Sequence, residues 1–351
     1  MPDKMRRAVV VALSAVAMLA GGRFAAAAPQ DDEAGLYAAA KSEGVVNWYT
    51  GLLKNQIVQP LIAGFEAKYP GLRIEHTDGT DADLIAKIVA EARAGAVHAD
   101  LSLGPSMAGE LLQAGLVAPY VPANAANVPA QYKDPHGLWT APTLFFIVPA
   151  VNTNLVKSGE EPRTLEDLLD PKWRGKMVWS GEISTSGQIG FIGAVLDSMG
   201  QDKGRAYLRK LAAQQITTIP GNARSVLDRV IAGEYAISLA SYNHHASASK
   251  AKGAPVQWLP LQPIVSAMAR SLLLKGAPHP NGAKLLSNYL LSSDGQQVFR
   301  DAGYIPSNSN VQPKDPSLKV DPARLRVFAP TPAEELQGAK EWLGLYKDLF
   351  H

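Results

Sequence analysis

The chain has 351 residues, of which 46% are hydrophobic and 19% are charged. This composition excludes a disordered protein, and the length suits two domains better than one core. The net charge of +2 is too close to neutral to indicate binding to nucleic acid or to an anionic membrane. Any ligand preference must therefore come from local geometry.

Residues 1–28 have the pattern of a cleaved signal peptide. A basic segment precedes an apolar stretch from Ala8 to Ala20, and small residues follow from Ala25 to Ala28. The stretch is too short to span a bilayer. Because the chain contains no cysteine, we expect no lipid anchor. We therefore expect a soluble periplasmic protein, and the sequence leaves both Sec and twin-arginine export open.

The first half of the remaining chain alternates between strands and helices. Strands are predicted at Val45–Tyr49, Leu72–His76 and Ala99–Leu103, with amphipathic helices between them. This alternation indicates βαβ units and a largely parallel sheet, in which ligands sit at the carboxyl ends of strands. Each candidate at these ends can also be an ordinary turn residue. The candidate ligand-binding residues are Thr50, Gly51, Gly79, Thr80, Gly104 and Ser106.

The stretch Met177–Leu196 predicts a strand, a turn and a helix in succession. An apolar strand is followed by a small, hydroxylated turn, and then by apolar residues at helical spacing. The amides and dipole of a helix N-terminus attract a carboxylate, phosphate or phosphonate. An ordinary capped helix has the same pattern. The candidates here are Ser184, Thr185 or Ser186 as N-cap, with Gly187 beside them.

A second βαβ series surrounds this stretch. The apolar run Leu144–Asn152 predicts a strand that crosses between two lobes. After the predicted strand Ile216–Ile219, Asn222 is expected to cap a helix that buries an apolar face. Arg224 lies close to that cap and can offer two parallel hydrogen bonds to an oxyanion. A solvated position for Arg224 is an equally good interpretation. The chain then predicts a strand at Tyr235–Ala240.

The segment Leu274–Pro306 resembles the C-terminal signature of periplasmic solute-binding proteins of ABC importers. It is similar in particular to the ferric-iron-binding branch and its phosphonate- and sugar-phosphate-binding relatives. The segments Val46–Gly51, Leu165–Gly175 and Gly233–Tyr242 agree with this resemblance. It implies the α/β, periplasmic-binding-protein-like fold of type II, in which two crossover strands join two α/β lobes and the ligand cleft lies between them.

The resemblance also implies a division of the chain and a set of partners. Residues 29–144 and 268–351 would form the first lobe, and residues 145–267 the second. The protein would close on a small anionic ligand and deliver it to the membrane permease of an ABC importer. We expect a monomer without a cofactor and without nucleic acid.

The resemblance leaves the ligand open. The ferric branch uses a His near the first turn, a Glu after the third strand and two adjacent tyrosines. Here both turns lack these residues, and the tyrosine pair corresponds to Tyr242-Asn243, which keeps one phenol. His244 and His245 are expected at the surface or behind the ligand. The branch's anion site corresponds to Ser184–Gly187 and Asn222. We therefore expect an anion, namely a phosphonate, phosphate ester or carboxylate, with iron bound by Tyr242 as the alternative.

An exported enzyme is the third interpretation of the sequence. Ser247-Ala248-Ser249-Lys250 matches S-x-x-K, but the S-D-N and K-T-G partners of the serine acylases are missing. The metalloprotease, nucleophile-elbow, Walker A and dinucleotide patterns are also missing from the sequence. We therefore expect no catalysis.

Overall fold

The computed structural model describes residues 32–184, 187–320 and 324–350. The signal peptide predicted at residues 1–28 lies outside them, as do Thr185 and Ser186. Within the described ranges, no helix is both long and apolar enough to cross a membrane.

Helices and strands follow one another along the chain largely as the alternation predicts. A π-helical turn at Lys54–Val58 leads into the second helix. The helices are α1 (Glu33–Glu43), α2 (Gln59–Lys68), α3 (Asp81–Arg93), α4 (Ala108–Gln113), α5 (Gln188–Met199), α6 (Gln201–Ala212), α7 (Ala223–Ile231), α8 (Asn243–Ala251), α9 (Pro280–Leu291), α10 (Ser293–Asp301) and α11 (Pro332–Phe350). The strands are β1 (Val45–Thr50), β2 (Arg73–Thr77), β3 (Leu101–Gly104), β4 (Thr140–Asn152), β5 (Met177–Ser180), β6 (Thr217–Ile219), β7 (Ile237–Tyr242), β8 (Val256–Trp258), β9 (Ile264–Leu273), β10 (Ile305–Pro306) and β11 (Val327–Phe328).

The sheet consists of two parallel parts joined by two antiparallel strands. Its order is β2-β1-β3-β9-β4-β7-β5-β6. Strand β1 is parallel to β2 and β3, and β5 is parallel to β6 and β7. Strands β9 and β4 pair antiparallel with each other and with their outer neighbours. We call β1–β3 with α1–α4, α9 and α10 the first lobe, and β5–β8 with α5–α8 the second lobe. The predicted α/β fold with two crossover strands is confirmed.

The strand register makes the two lobes face a common gap. In the first lobe, the last residue of β3, Gly104, lies opposite Arg270 of β9. In the second lobe, the last residue of β7, Tyr242, lies opposite Ile147 of β4, which in turn pairs with Val265 of β9. The two strand ends point toward each other and are offset by about 16 Å along the strand direction, because Arg270 and Val265 are five positions apart on β9 at ~3.3 Å for each position. Loops that follow the strands of either lobe therefore border this gap.

Each lobe buries its own aromatic core. Trp48 of β1 and Phe65 of α2 are inaccessible to solvent in the first lobe, as is Trp179 of β5 in the second. Trp48 therefore serves the core, and burial of such a side chain stabilises the fold by roughly 1.5–3 kcal/mol.

The last helix contacts both lobes. In α4 of the first lobe, a Cβ added to Gly109 would lie 3.1 Å from the carbonyl oxygen of Pro332. In α5 of the second lobe, a Cβ added to Gly193 would lie 2.8 Å from the ring of Trp342. Helix α11 thus approaches one helix of each lobe at a glycine. The prediction that residues 268–351 belong to the first lobe does not include these contacts with the second lobe, and the lobe boundaries stay a prediction.

A buried ion pair fixes α11 to the crossover strand β9. Only 2% of the Arg270 side chain is exposed, and its Nη1 and Nη2 atoms each lie 3.0 Å from a carboxylate oxygen of Glu335. Nη2 also donates to the carbonyl oxygen of Pro330, and the guanidinium lies 5.3 Å from the centre of the Trp139 ring. Burial raises the pKa of Glu335, and Arg270 partly opposes that rise.

We predict that Arg270→Met lowers the free energy of unfolding by roughly 3–5 kcal/mol, because it leaves the Glu335 carboxylate buried and unpaired. The control is Arg205→Ala. This change breaks another ion pair to α11, Arg205–Glu341, whose side chains are more than a third exposed, and it should cost about 1 kcal/mol or less. Urea unfolding measures both. If adding Glu335→Leu to Arg270→Met restored no stability, the unpaired charge would not be the cause.

Candidate functional site

The predicted first-lobe residues meet at the ends of three adjacent strands. Thr50 of β1 pairs with Leu103 of β3, so the loops after these strands lie side by side. A Cβ on Gly51 would lie 2.4 Å from the carbonyl oxygen of Gly79. A Cβ on Gly104 would lie 2.5 Å from Asp81 Oδ1. A side chain at position 51 would meet backbone, and one at position 104 would push the Asp81 carboxylate aside, so the two glycines let the loops close around Asp81.

Asp81 is the functional candidate that the sequence analysis missed. It opens α3 directly after the β2 loop, and the amide of Ser106 donates to its Oδ2 at 2.6 Å. Its Oδ1 receives no hydrogen bond, and no cationic side chain pairs with it, within the described part of the chain. The side chain is half-buried. Burial raises the pKa of this carboxyl to about 6, against the lowering effect of the Ser106 amide. The available signal was a carboxylate placed where a strand end meets a helix start.

The two predicted threonines are used mainly within the fold. Thr80 caps α3 by accepting from the amide of Asp83 at 3.2 Å, and its hydroxyl donates to the Asp83 carboxylate. Thr50 is buried, and its Oγ1 accepts from the amide of Leu52 at 3.3 Å. These hydrogen bonds shape the loops that hold Asp81.

In the second lobe, α5 begins later than predicted. Its N-cap is Gly187, which has no side chain to cap the helix, and its first residue is Gln188. Ser184 is therefore not the N-cap, and Thr185 and Ser186 lie outside the described residues. Instead, the carbonyl oxygen of Ser184 accepts from the amide of Gly187 at 3.1 Å. A Cβ on Gly187 would lie 2.9 Å from Ser184 Oγ, so glycine allows this tight turn into the helix.

Hydrogen bonds join the loop before α5 to the loop before α7. The Ser180 hydroxyl donates to the carbonyl oxygen of Gly221 at 2.6 Å. The amide of Gly181 donates to the carbonyl oxygen of Ile219 at 2.7 Å. Asn222 follows at once and caps α7 as predicted, because its Oδ1 accepts from the amides of residues 224 and 225. Within the described residues the Asn222 Nδ2 makes no hydrogen bond, so it is available to a ligand.

Arg224 is not available in the way the sequence suggested. Its Nη2 and Nε bond the two carboxylate oxygens of Asp228 at 2.6 and 3.3 Å, and its Nη1 donates to Ser249 Oγ at 2.9 Å. The side chain is 43% exposed. An anion would therefore have to displace Asp228 before it could bind both guanidinium nitrogens.

Tyr242 belongs to an aromatic cluster where the crossover strand meets both lobes. Its ring lies 5.6 Å from Phe145 of β4 and 5.6 Å from His244. His244 in turn lies 4.7 Å from Tyr304, which precedes β10. His244 is buried and His245 half-buried, which excludes the first of the two positions expected for the pair, the surface, and leaves the second, behind the ligand, as a prediction. Within the described residues, neither nitrogen of His244 has a hydrogen-bonding partner.

Burial keeps both imidazoles neutral at physiological pH. It lowers the pKa of His244 well below its usual value, with His245 adding to the effect. It lowers the pKa of His245 to about 4, helped by the charge of Arg224 and opposed by Asp228. Neutral imidazoles beside a phenol can accept or donate hydrogen bonds without adding charge.

Asn243 has a structural role. It is fully buried, its Nδ2 donates to the carbonyl oxygen of Leu318 at 3.0 Å, and its Oδ1 accepts from the amide of His244. Both ends of the amide are thus occupied by the protein, so we do not expect Asn243 to reach a ligand without rearrangement.

The S-x-x-K sequence does not bring its serine and lysine together. Ser247 donates to Asp315, whereas Lys250 Nζ lies 3.5 Å from Gln257 Oε1. Within the described residues, no three His, Cys, Asp or Glu side chains converge in a way that could hold a metal ion.

Two lobes joined by β4 and β9, with candidate binding groups at the facing strand ends, define the fold of a periplasmic binding protein. Solved structures agree. The chain is similar to iron-bound HitA from Pseudomonas aeruginosa (TM-score 0.72, 24% identity, 87% of this chain and 99% of that one). It is also similar to the periplasmic binding protein AfuA from Actinobacillus pleuropneumoniae with exogenous fructose-6-phosphate bound (TM-score 0.74, 23% identity, 88% and 99%).

The chain belongs to the family of bacterial extracellular solute-binding proteins, whose family model matches residues 97–327. It is 28% identical over 202 residues to an Fe(3+)-binding periplasmic protein of Serratia marcescens, covering 57% of each chain. It is 27% identical over 183 residues to a Sinorhizobium fredii protein described as a probable ABC transporter periplasmic-binding protein, covering 50% and 49%. The chain thus matches about half the length of these curated relatives. The resemblance inferred from the sequence is confirmed.

We predict that Asp81→Asn stabilises the free protein above pH 6 by at most ~3 kcal/mol. The folded carboxyl has a pKa of about 6 against 3.8 unfolded, so the folded state binds the proton more tightly. The contribution of Asp81 to stability therefore falls as pH rises from about 4 to about 6. Urea unfolding across this range should show the advantage of the Asn variant shrinking toward the acid end. If the free energies of unfolding of the two proteins differed by the same amount at all pH values, this prediction would be wrong.

We predict that Arg224→Ala changes the affinity for an anionic ligand by less than about 1 kcal/mol, the range of an exposed ion pair. The reason is that Asp228 already neutralises the guanidinium. Asp228→Asn is the matched variant, because it removes the carboxylate charge that pairs with Arg224 and leaves the guanidinium able to bind an anion. Calorimetric titration of the two variants measures the effect, and a loss of roughly 2 kcal/mol or more in Arg224→Ala would instead identify Arg224 as a direct ligand.

Proposed function

We propose that this protein is the periplasmic substrate-binding component of an ABC transporter, and that it captures a small anionic solute between its lobes for delivery to a permease. The observation that carries the proposal is the start of α5. This twelve-residue helix begins at a glycine, in a loop that follows a strand end facing the gap. The family and the two-lobed fold support the transport role.

The proposed anion site is built from backbone groups. The first-turn amides of a helix have no acceptor within the helix, and they lie at the positive end of its dipole. They can bind a carboxylate, phosphate or phosphonate without a metal ion. Ser184 lies at this turn, and Asn222 Nδ2 lies in the adjoining loop. The first-turn amides of α5 and Asn222 Nδ2 are the hydrogen-bond donors that we assign to the oxyanion.

The gap between the lobes gives the proposal its mechanism. A ligand held at α5 that also touches the first lobe favours the closed arrangement, because it gains contacts there that the open arrangement lacks. The permease then receives a closed, loaded protein. The proposal involves export to the periplasm and no chemical conversion of the ligand.

Ferric iron is the second candidate ligand. Tyr242 borders the gap at the end of β7, and phenolate oxygen suits a hard cation. A relative described as an Fe(3+)-binding periplasmic protein supports the same candidate. In that case the anion at α5 would accompany the metal.

Substitution at Ser184 tests the anion site. We predict that Ser184→Asp abolishes binding of phosphonates, phosphate esters and carboxylates to the chelator-treated protein, because a carboxylate at the turn repels the ligand and competes for the amides. The control Ser184→Asn introduces a side chain of the same size as Asp but without its charge, so it should retain most of the affinity for the anion. Calorimetry with an anion panel measures this, and a ligand at a hundredfold its Kd should also stabilise the wild type by about 2.7 kcal/mol.

Two results would overturn this proposal. One is equal anion binding by Ser184→Asp and Ser184→Asn. The other is binding of every ligand only in the presence of ferric citrate, with a visible charge-transfer band that disappears in Tyr242→Phe. The second result would make iron the cargo.

A further inference from the structure

The loops that follow β1 and β5 occupy equivalent places in the two lobes. In the sheet order β2-β1-β3-β9-β4-β7-β5-β6, one strand, β3 or β7, separates each of them from the nearest crossover strand. Strand β1 is parallel to β3 and β5 is parallel to β7, and the ends of β3 and β7 point toward each other. The loop after β1 and the loop after β5 therefore extend from opposite lobes toward the gap.

The two loops begin with the same turn. Thr50, the last residue of β1, accepts a hydrogen bond at its Oγ1 from the amide of Leu52 at 3.3 Å. Ser180, the last residue of β5, accepts one at its Oγ from the amide of Glu182 at 2.9 Å. A hydroxyl that bonds the backbone two residues further along holds the chain in a turn. The same local constraint therefore directs the chain out of both strands.

A glycine directly after each strand lets the loop pack against its outer neighbour. A Cβ on Gly51 would lie 2.4 Å from the carbonyl oxygen of Gly79, in the loop after β2. A Cβ on Gly181 would lie 3.1 Å from the carbonyl oxygen of Ile219, at the end of β6. Strands β2 and β6 are the outer neighbours of β1 and β5. Residues 50–53 and 180–183 thus repeat one arrangement in the two lobes.

The third residue of each loop is a large aliphatic side chain that water reaches. Leu53 is 43% exposed and Ile183 is 47% exposed. Leu52, the residue before Leu53, packs into the first-lobe core instead. Two large apolar side chains therefore lie at matching positions beyond strand ends that face each other, and neither is covered in this arrangement of the lobes.

The other large hydrophobic side chains that are exposed among the described residues are Val121 and Leu155. Val121 lies near the start of β3, because the amide of Ala118 donates to the last residue of β9, opposite that start. Leu155 lies near the start of β7, because the amide of Asn152 donates to the carbonyl oxygen of Ala236. These strands run toward the gap, so both residues lie at the ends of the lobes away from it.

We propose that Leu53 and Ile183 pack against each other when the lobes close, and that they form an apolar latch across the gap. Exposed apolar surface is unfavourable in proportion to its area, and the attraction that buries it needs no particular direction. Closure that joins the two loops removes this surface from water, whichever ligand lies between the lobes. The latch goes beyond the proposed function, because it stabilises the closed form without selecting the ligand.

Disulfide trapping tests the latch, in a chain that has no cysteine of its own. Leu53→Cys combined with Ile183→Cys places one thiol in each loop, and a disulfide forms only if the two Cα atoms come within about 7 Å. The ligand-free, dilute protein is incubated with oxidised glutathione, so that rare closures accumulate as an intramolecular disulfide. The control pair is Val121→Cys with Leu155→Cys, which is similarly exposed. Thermal unfolding of the reduced variants verifies that both fold.

We expect the first pair to form its disulfide at least ~tenfold faster than the control pair, because the effective concentration of thiols that meet far exceeds that of thiols held apart. Small-angle scattering should show a smaller radius of gyration after oxidation, and reduction with dithiothreitol should restore the original value.

Two results would overturn the latch. One is a disulfide that forms no faster in the first pair than in the control pair. The other is a fast disulfide without compaction, because the two loops would then meet while the lobes stay open. Neither measurement uses a ligand, so the latch can fail while the anion panel still binds, and it can hold while the panel does not bind.

Discussion

A guanidinium and a carboxylate that water barely reaches hold the crossover strand β9 to the last helix. Removing two charges from water is favourable only when each neutralises the other with good geometry. Arg270 and Glu335 meet that condition with two parallel contacts of 3.0 Å. Arg270 Nη1 also reaches the carbonyl oxygen of Pro105 at 3.4 Å, and the next amide along the chain, that of Ser106, holds Asp81. The position of the candidate first-lobe group thus depends on the same buried pair that orients α11.

The two sides of the gap are built by different means. In the second lobe, a helix start and an amide side chain offer donors, and the loops that carry them are joined by hydrogen bonds from Ser180 and Gly181. In the first lobe, glycines let three loops close around one acceptor, the Asp81 carboxylate. A sheet whose strands all ended in the same kind of turn could not distinguish one end of a ligand from the other. Here the crossover strands place a donor-rich helix start in one lobe and a carboxylate at the strand ends of the other.

Periodicity and caps predicted much of this fold. The strand β1 and the cap Asn222 were found from local pattern. These features depend on neighbours in sequence, which is why a single chain suffices to predict them. Helix α8 was missed because its apolar positions are few and its sequence, from Asn243 to Ala251, is largely small and polar. The start of α5 was misplaced because three hydroxyl residues compete as N-cap, while a glycine fills that position.

The candidate site was harder to predict than the fold. The strand-end positions came from a rule about sheets, and the structure does bring them together. The state of individual side chains depends on long-range contacts that periodicity does not encode. The partners of Arg224 include Ser249, 25 residues away, and Asp81 is held by an amide 25 residues further along. Burial of His244 likewise requires Phe145 and Tyr304, which come from distant parts of the chain. Sequence patterns therefore pointed to the strand ends, while tertiary packing decided which groups there are already occupied.

Helix α11 meets both lobes at glycines, and this has a consequence for a protein that moves. Helix α11 packs closely against Gly109 and Gly193, so it links the two lobes in addition to the two crossover strands. A rigid link raises the free energy of any arrangement of the lobes that differs from the one in this structure, whether or not a ligand is bound. In the proposed transport role, such a link would contribute to the free energy of closing the lobes and not to the contacts that select the ligand. The residues that form this link lie in α11, α4 and α5, so variation there would change the free energy of closure without changing the groups that border the gap.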